Sequence, residues 1–171
     1  MLKYRRLTKD DIINKANDLF RCYEDNKLIL DNQSVIEVHI PIDIVEYLIP
    51  FTMAKDSLVV GIMDRQEQFL FGVVIFDNIR IADSSCAEIH IAISKEIWGK
   101  ICKNLFDEMI VSCGIDVLYC QIPKIAVRAI SMCKRMGFKK TGYIPKALPY
   151  TNSKNECKMY DINIYTFQRG V

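Results

Sequence analysis

The sequence predicts a mixed α/β (α+β) fold, in which one sheet carries helices on both faces. Two observations predict it. Apolar residues alternate along short segments such as 87–93, as they do in strands, and recur at helical spacing in segments such as 97–113. The predicted elements follow one another as β-α-α-β-β-β-α-β-α-β-β. All 171 residues are assigned to a single domain, 1–171, which is an ordinary domain size.

The first quarter of the chain predicts one strand and two helices. Residues 2–7 alternate weakly and form the first strand. Thr8 is the predicted N-cap of a helix that runs to Tyr23, since acidic residues follow it in the first turn. The polar residues 25–34 are a predicted loop. A second, short helix begins at Pro41 and is closed by Pro50.

The remaining chain alternates strands and helices. Strands are predicted at 57–63, 69–76, 87–93, 117–122, 138–144 and 159–167, and helices at 97–113 and 125–136. Gly114 and Gly137 should end these two helices, because glycine adopts the left-handed conformation that a C-terminal cap requires. The polar segment 145–156 is a predicted loop.

The amino-acid composition limits the kinds of binding partner that we expect for this protein. Half of the residues are hydrophobic and 26% are charged, which is typical of a globular core. A net charge of +2 gives no reason to expect a nucleic-acid partner. Between residues 95 and 140, nine basic and four acidic side chains leave a local excess of +5 (9 − 4). This excess indicates either solvated helix faces or attraction of a polyphosphate.

The cysteines indicate a reducing compartment. There are seven, and no two are spaced C-x-x-C, which argues against both a zinc site and a disulfide framework. We therefore expect no metal and a cytoplasmic location. The N-terminus has no apolar run behind its basic residues, and the apolar stretch 40–54 is interrupted by charges. No membrane partner is expected.

An anion site is predicted where the strand at 87–93 runs into Trp98-Gly99-Lys100. Backbone N–H groups at a helix start bind anions, and Gly99, Lys100 and Ile101 would supply them here. The side chains of Lys100 and Lys95 would add positive charge. Neither a P-loop nor a dinucleotide-binding glycine motif is present.

Two segments resemble the GCN5-related N-acetyltransferase (GNAT) family. Residues 96–101 occupy the place of the family's Arg/Gln-x-x-Gly-x-Gly/Ala loop, although only Gly99 fits the pattern. Residues 126–142 match the family's C-terminal helix and its Gly-Phe step. Ala126 replaces the usual asparagine there, and Cys133 replaces a tyrosine that often protonates the departing thiolate.

The resemblance implies a sheet of six to seven strands that is parallel at its centre. It implies an N-acetyltransferase that moves an acetyl group from acetyl-CoA to a primary amine of a small molecule or peptide. The strands at 87–93 and 117–122 would splay, parting after Ile93, so that the pantetheine arm pairs with backbone groups of Ile91 and Ile93. Trp98 would be a packing residue or lie beside the adenine.

Catalytic roles follow from the same resemblance. Glu88 lies on the polar face of its strand, where the family often has a general base; the alternative is a carboxylate paired with a nearby cation. His90 shares that face and is a second candidate base, unless it is only packed and hydrogen-bonded. Cys133 either protonates the thiolate or is a small buried residue. Tyr143 and Tyr119 are further candidate proton donors.

A second interpretation of the sequence places the protein in a different functional class. The missing tyrosine and the altered loop favour a GNAT-fold protein without catalysis, working as a binding or structural part. The C-terminal segment resembles small GNAT-like proteins of tailed phages, which makes a virion or ejection component the specific alternative. A C-terminal strand at a sheet edge can pair with a second copy, so a homodimer is left open.

Overall fold

The computed structural model describes residues 2–26, 38–82, 84–98, 100, 103–151 and 157–169. Their elements are β1 (Leu2–Arg6), α1 (Lys9–Asn14), α2 (Ala16–Glu24), α3 (Pro41–Met53), β2 (Leu58–Asp64), β3 (Leu70–Ile81), β4 (Ser85–Ile93), a 3₁₀ helix (Lys95–Ile97), α4 (Lys103–Cys113), β5 (Val117–Pro123), α5 (Val127–Arg135), β6 (Lys139–Thr151) and β7 (Cys157–Gln168). No helix in these ranges is long and apolar enough to cross a membrane.

Seven strands form one sheet in the order β1-β2-β3-β4-β5-β7-β6. Neighbours are antiparallel except the central pair, β4 and β5, which is parallel. Because a parallel pair needs a long crossover, α4 connects these two strands across one face of the sheet. The predicted fold class, with its parallel centre, is confirmed.

Each face of the sheet is covered by its own helices and has its own core. Apolar residues of α1, α2 and α3 bury one face, with Ile12, Leu19 and Leu48 at most 1% exposed. Residues of α4 and α5 bury the other, where Phe106 and Ile110 are at most 2% exposed. Helices therefore lie on both faces, as predicted, and β4 contributes residues to both cores, whereas the buried residues of β5 belong to the core under α4 and α5.

The two helices predicted in the first part of the chain differ from the structure: the first is interrupted, and the second continues beyond its predicted end. The helix predicted from Thr8 to Tyr23 is interrupted at Lys15, which separates α1 from α2. Its start is confirmed, because Thr8 and Asp11 form a reciprocal capping box. Pro50 does not close α3. Its carbonyl accepts the N–H of Ala54, and proline keeps that acceptor although it lacks a donor.

The predicted loop at 145–156 was wrong over its first half. β6 runs on to Thr151, and Leu148–Thr151 pair with β7 beyond an irregularity between Ile144 and Leu148. β6 is an edge strand, and an edge tolerates prolines such as Pro145 and Pro149 because no neighbour needs their missing donors. Residues 152–156 lie outside the described part of the chain.

The segment predicted as one helix over 97–113 has two described pieces. Lys95–Ile97 form a short 3₁₀ helix, and α4 begins at Lys103. The glycines that follow α4 and α5 have the left-handed conformation predicted for helix C-terminal caps. Gly114 and Gly137 have φ of +67° and +90°. These are values at which a side chain is strained.

Gly137→Ala is expected to lower the free energy of unfolding by about 1–2 kcal/mol, because the new Cβ meets the backbone at positive φ. Gly142→Ala is the matched control in β6. Its φ is not positive and the nearest atom to a Cβ there is 3.6 Å away. Urea denaturation of both variants checks this, and equal stability of the two would contradict it.

Candidate active site

The parallel pairing of β4 and β5 is short. It covers only Cys86, Ala87 and Glu88, opposite Val117, Leu118 and Tyr119. Beyond Glu88, β4 continues to Ile93 while pairing only with β3, and β5 continues to Pro123 while pairing only with β7. The two strands thus part after Glu88, five residues earlier than expected, and leave a slot through the middle of the sheet.

The slot holds about 730 Å³ of space, counting the solvent at its open mouth. Its walls are mostly apolar and come from both strands, from α5 and from the segments after α2 and β4. The lining residues are Asn26, Ile89, His90, Ile91, Ile93, Trp98, Cys120, Gln121, Ile122, Pro123, Ala129, Met132, Cys133 and Phe138. Since His90 and Cys133 lie on opposite faces of the sheet, the slot connects those faces.

The backbone of Ile91 faces this slot. Ser94 N–H donates to the Phe71 carbonyl at 2.7 Å, which marks Ser94, Ala92 and His90 as the residues that exchange hydrogen bonds with β3. In an antiparallel pair the alternate residues direct N–H and C=O the other way. The N–H and C=O of Ile91 therefore point toward β5, beyond the last residue with which β4 and β5 pair.

Ile93 was expected to offer its backbone groups to the pantetheine arm, but its carbonyl already accepts two hydrogen bonds from the protein. Trp98 Nε1 donates to it at 3.0 Å and Asn26 Nδ2 at 2.9 Å. A carbonyl oxygen has two lone pairs, so this acceptor is fully used. Of the two expected backbone partners, Ile91 retains both groups toward the slot, whereas the Ile93 carbonyl is occupied. Trp98 forms the wall at that end and satisfies its indole N–H there.

The end of α2 is attached to the end of β4, although the polar sequence from residue 25 predicts only a loop there. Asp25 accepts hydrogen bonds from the Ser94 hydroxyl at 3.1 Å and the Lys95 N–H at 3.0 Å. The Lys95 ammonium lies 3.3 Å from the same carboxylate. Burial opposes ionisation, but these donors outweigh it and lower the pKa of Asp25.

The predicted anion loop is only partly described, since Gly99 and Ile101 lie outside the described residues. The N–H of Lys100 donates to the Ile97 carbonyl at 2.8 Å, so this donor is used within the turn. The side chain of Lys100 is exposed. Lys95 is paired with Asp25, and Arg135 Nη2 donates to the Trp98 carbonyl at 2.9 Å. Part of the local basic excess thus serves internal contacts.

Glu88 and His90 lie together on the face of β4 that α5 does not cover. Glu88 Oε1 is 3.9 Å from His90 Nε2. The carboxylate is largely buried at 18% exposure, whereas the imidazole is 45% exposed and lines the slot. Tyr119 is opposite Glu88 in the sheet, and burial followed by the Glu88 charge raises the pKa of this phenol. Glu88 and His90 therefore lie where the slot opens to the face of the sheet that α5 does not cover.

Cys133 projects from α5 into the slot and is 4% exposed. Its Sγ lies 3.8 Å from Sγ of Cys120 on β5, also a lining residue. Cys120 was missed, because a cysteine in an apolar strand has no pattern that distinguishes it from a core residue. Tyr165 is the β7 partner of Cys120, and burial followed by the two thiols raises its pKa.

Tyr143 is apart from these groups. It is 60% exposed on β6, and the Lys140 ammonium lies 5.6 Å from its ring centroid. It is not a lining residue of the slot, so the structure does not bring this candidate together with Glu88, His90 and Cys133. Within the described ranges, no group of three or more His, Cys, Asp or Glu side chains is arranged to hold a metal ion.

No protein-family model and no curated protein matches the chain. Solved structures do. The chain is similar to the ribosomal-protein-S5-alanine acetyltransferase of Vibrio fischeri, with 14% identity, a TM-score of 0.72 and coverage of 99% of this chain and 93% of the other. It is also similar to spermidine N-acetyltransferase from Vibrio cholerae in complex with CoA and spermine, with 16% identity, a TM-score of 0.69 and coverage of 98% and 95%.

A third similar structure is a GNAT-family acetyltransferase from Streptococcus pneumoniae, with 13% identity, a TM-score of 0.67 and coverage of 98% of this chain and 99% of the other. At these identities the likeness is one of fold. The chain has the GNAT acetyltransferase fold over nearly its whole length, which confirms the structural part of the resemblance.

Asp25→Asn is expected to lower the free energy of unfolding by about 1–3 kcal/mol at pH 7, because the buried Ser94 hydroxyl and the Lys95 N–H lose a charged acceptor. The native pKa of Asp25 is lowered, so its stabilisation is complete above the unfolded pKa of about 3.9 and is lost as pH falls below it. The difference between wild type and variant should therefore shrink toward pH 3. Denaturation at several pH values measures this.

Glu108→Gln is the control for this variant, since Glu108 is an exposed carboxylate on α4 away from the α2–β4 contact. Its effect should stay within about 0.5 kcal/mol at any pH. A constant difference between Asp25→Asn and wild type from pH 7 to pH 3 would contradict the assignment of Asp25.

Proposed function

We propose that the protein is an N-acetyltransferase that moves the acetyl group of acetyl-CoA to a primary amine. The observation that supports this most is the parting of β4 and β5 in a chain with the GNAT fold. It leaves an apolar slot with the Ile91 backbone along one side. A thioester with an extended, amide-containing arm fits such a slot, because the arm can pair with Ile91 as a short strand would.

The slot would align the two substrates, which is the largest demand of an acyl transfer. The pantetheine arm would enter beside α5, and its amides would bond the N–H and C=O of Ile91. The thioester would then lie where the slot opens toward His90. The same backbone N–H can face the carbonyl oxygen and stabilise the negative charge that develops on it.

Glu88 and His90 would remove the proton from the amine. The imidazole reaches the slot, and the Glu88 carboxylate beside it stabilises the imidazolium that forms. The neutral nitrogen attacks the thioester carbon, the C–S bond breaks, and the thiolate leaves. The nitrogen, which became positively charged on attack, then loses a proton to solvent and the amide is formed. Cys133 is the proposed donor to that thiolate, since it is a titratable group on the opposite wall of the slot.

The non-catalytic alternative is favoured by two contacts. The Ile93 carbonyl is already occupied by Trp98 and Asn26, and the N–H of Lys100 is used within its own turn. Both are groups that cofactor binding was expected to use. A binding or structural role, for instance in a phage particle, is therefore the second candidate. A measurement of acetyl-CoA binding distinguishes these two candidate functions.

Ala129→Phe is expected to weaken acetyl-CoA binding about tenfold or more, because the ring would fill a slot-lining position on α5. Val127→Phe is the matched control on the same helix. Val127 is 70% exposed and does not line the slot. Trp98 emission and calorimetry measure binding. Wild type that binds no acetyl-CoA at millimolar concentration would favour the non-catalytic alternative.

Glu88→Gln is expected to lower kcat about a hundredfold or more, since an amide cannot take part in proton removal. Glu108→Gln should retain full turnover. The assay follows release of the CoA thiol with a panel of polyamines, simple primary amines and peptides, and mass spectrometry identifies acetylated products. Unchanged turnover in Glu88→Gln would remove Glu88 from the mechanism.

A further inference from the structure

Two thiols face each other across the slot. Cys120 is on β5 and Cys133 on α5, and their Sγ atoms are 3.8 Å apart. They are 6% and 4% exposed, and both line the slot, which opens to solvent. Among the described cysteines, no other pair of sulfur atoms makes a contact of this kind.

We propose that Cys120 and Cys133 are a reversible modification site, at which a hydroperoxide converts the two thiols into a disulfide that closes the slot to acetyl-CoA. The closing effect on acetyl-CoA rests on the proposed function. Formation of the disulfide does not, because it depends only on the two sulfur atoms and a small oxidant.

The pair is prepared for this reaction by its own hydrogen bond. When Cys133 ionises, its thiolate accepts the S–H of Cys120, which lowers the pKa of Cys133. The same hydrogen bond, together with burial, raises the pKa of Cys120. When the pair loses one proton, Cys133 is thus the thiolate and Cys120 keeps the remaining proton. A thiolate is the form that reacts with peroxides.

The reaction balances in two steps. The Cys133 thiolate attacks one oxygen of the hydroperoxide and the O–O bond breaks, which leaves a sulfenic acid on Cys133. The departing alkoxide or hydroxide takes a proton from solvent, the counterpart of the one Cys133 lost on ionising, and becomes an alcohol or water. The sulfur of Cys120 then attacks the Cys133 sulfur, the S–O bond breaks, and the hydroxyl leaves as water with the Cys120 proton. The two thiols are oxidised and the peroxide is reduced.

Closing the disulfide would narrow the slot. An S–S bond is about 2.0 Å long, so the two sulfur atoms must approach from 3.8 Å. Cys133 shares α5 with Ala129 and Met132, which line the same wall. Drawing this helix toward β5 moves that wall into the space proposed for the pantetheine arm.

Two other cysteines in the described part of the chain show how the surroundings of a thiol differ away from this pair. Cys22 is buried in the opposite core, where burial raises its pKa to about 12. Cys157 is a free, exposed thiol on β7, and no contact between its sulfur and that of another described cysteine is present. Cys157 is therefore the control thiol: it is accessible to oxidants but has no partner in the slot.

The experiment treats reduced, full-length protein with hydrogen peroxide, alkylates the remaining thiols and maps the peptides by mass spectrometry. A dithiothreitol-reversible cross-linked peptide joining Cys120 and Cys133 is expected. Calorimetry with acetyl-CoA should then show about tenfold weaker binding in the oxidised form, restored by dithiothreitol. Cys120→Ser and Cys133→Ser should bind equally with and without peroxide, whereas Cys157→Ser should respond like wild type.

Two results would overturn the proposal. In the first, both thiols remain alkylatable after a peroxide treatment that has fully oxidised Cys157. In the second, the disulfide forms and acetyl-CoA affinity is unchanged. If reduced wild type binds no acetyl-CoA, the proposed function fails by itself. The peptide map and the Trp98 emission, which reports movement at the slot, then decide the thiol proposal separately.

Discussion

The short pairing between β4 and β5 is the constraint on which the site depends. A parallel pair inside a sheet would normally bond along its whole length, because unpaired backbone groups are costly to bury. Here the bonds stop after Glu88 and Tyr119. Both strands stay ordered because each has a full antiparallel partner on its other side, β3 for β4 and β7 for β5.

Some of the backbone groups that β4 leaves unpaired beside the slot are hydrogen-bonded by the protein's own side chains, and others are not. Trp98 and Asn26 both bond the Ile93 carbonyl, and Asp25 holds the turn that follows through Ser94 and Lys95. These contacts fix the far end of β4 against α2. Ile91 lies between the two fixed ends, and its N–H and C=O point into the slot.

The sequence was sufficient for the architecture because strand and helix periodicities are strong in this chain, and the capping residues Thr8, Gly114 and Gly137 have local signals. It misplaced the ends of α3 and β6. The helix continues past Pro50 through the bond from the Ala54 N–H to the Pro50 carbonyl, and β6 continues past its prolines by pairing with β7. The sequence could not show Asn26, Asp25 or Cys120, because their roles come from distant partners. The family resemblance pointed to Glu88 and Cys133, and strand alternation with imidazole chemistry pointed to His90. His90 and Cys133 line the slot from opposite faces, and Glu88 lies beside His90.

The central claim is that the N–H of Ile91 is unpaired in the free protein and bonds acetyl-CoA. Amide hydrogen exchange, resolved to Ile91, His90 and Ala92, tests it most directly. We predict that the Ile91 amide exchanges faster than its two neighbours, which bond β3, and becomes protected when acetyl-CoA is added. Slow exchange at Ile91 without cofactor, or unchanged exchange at saturating acetyl-CoA, would contradict the account.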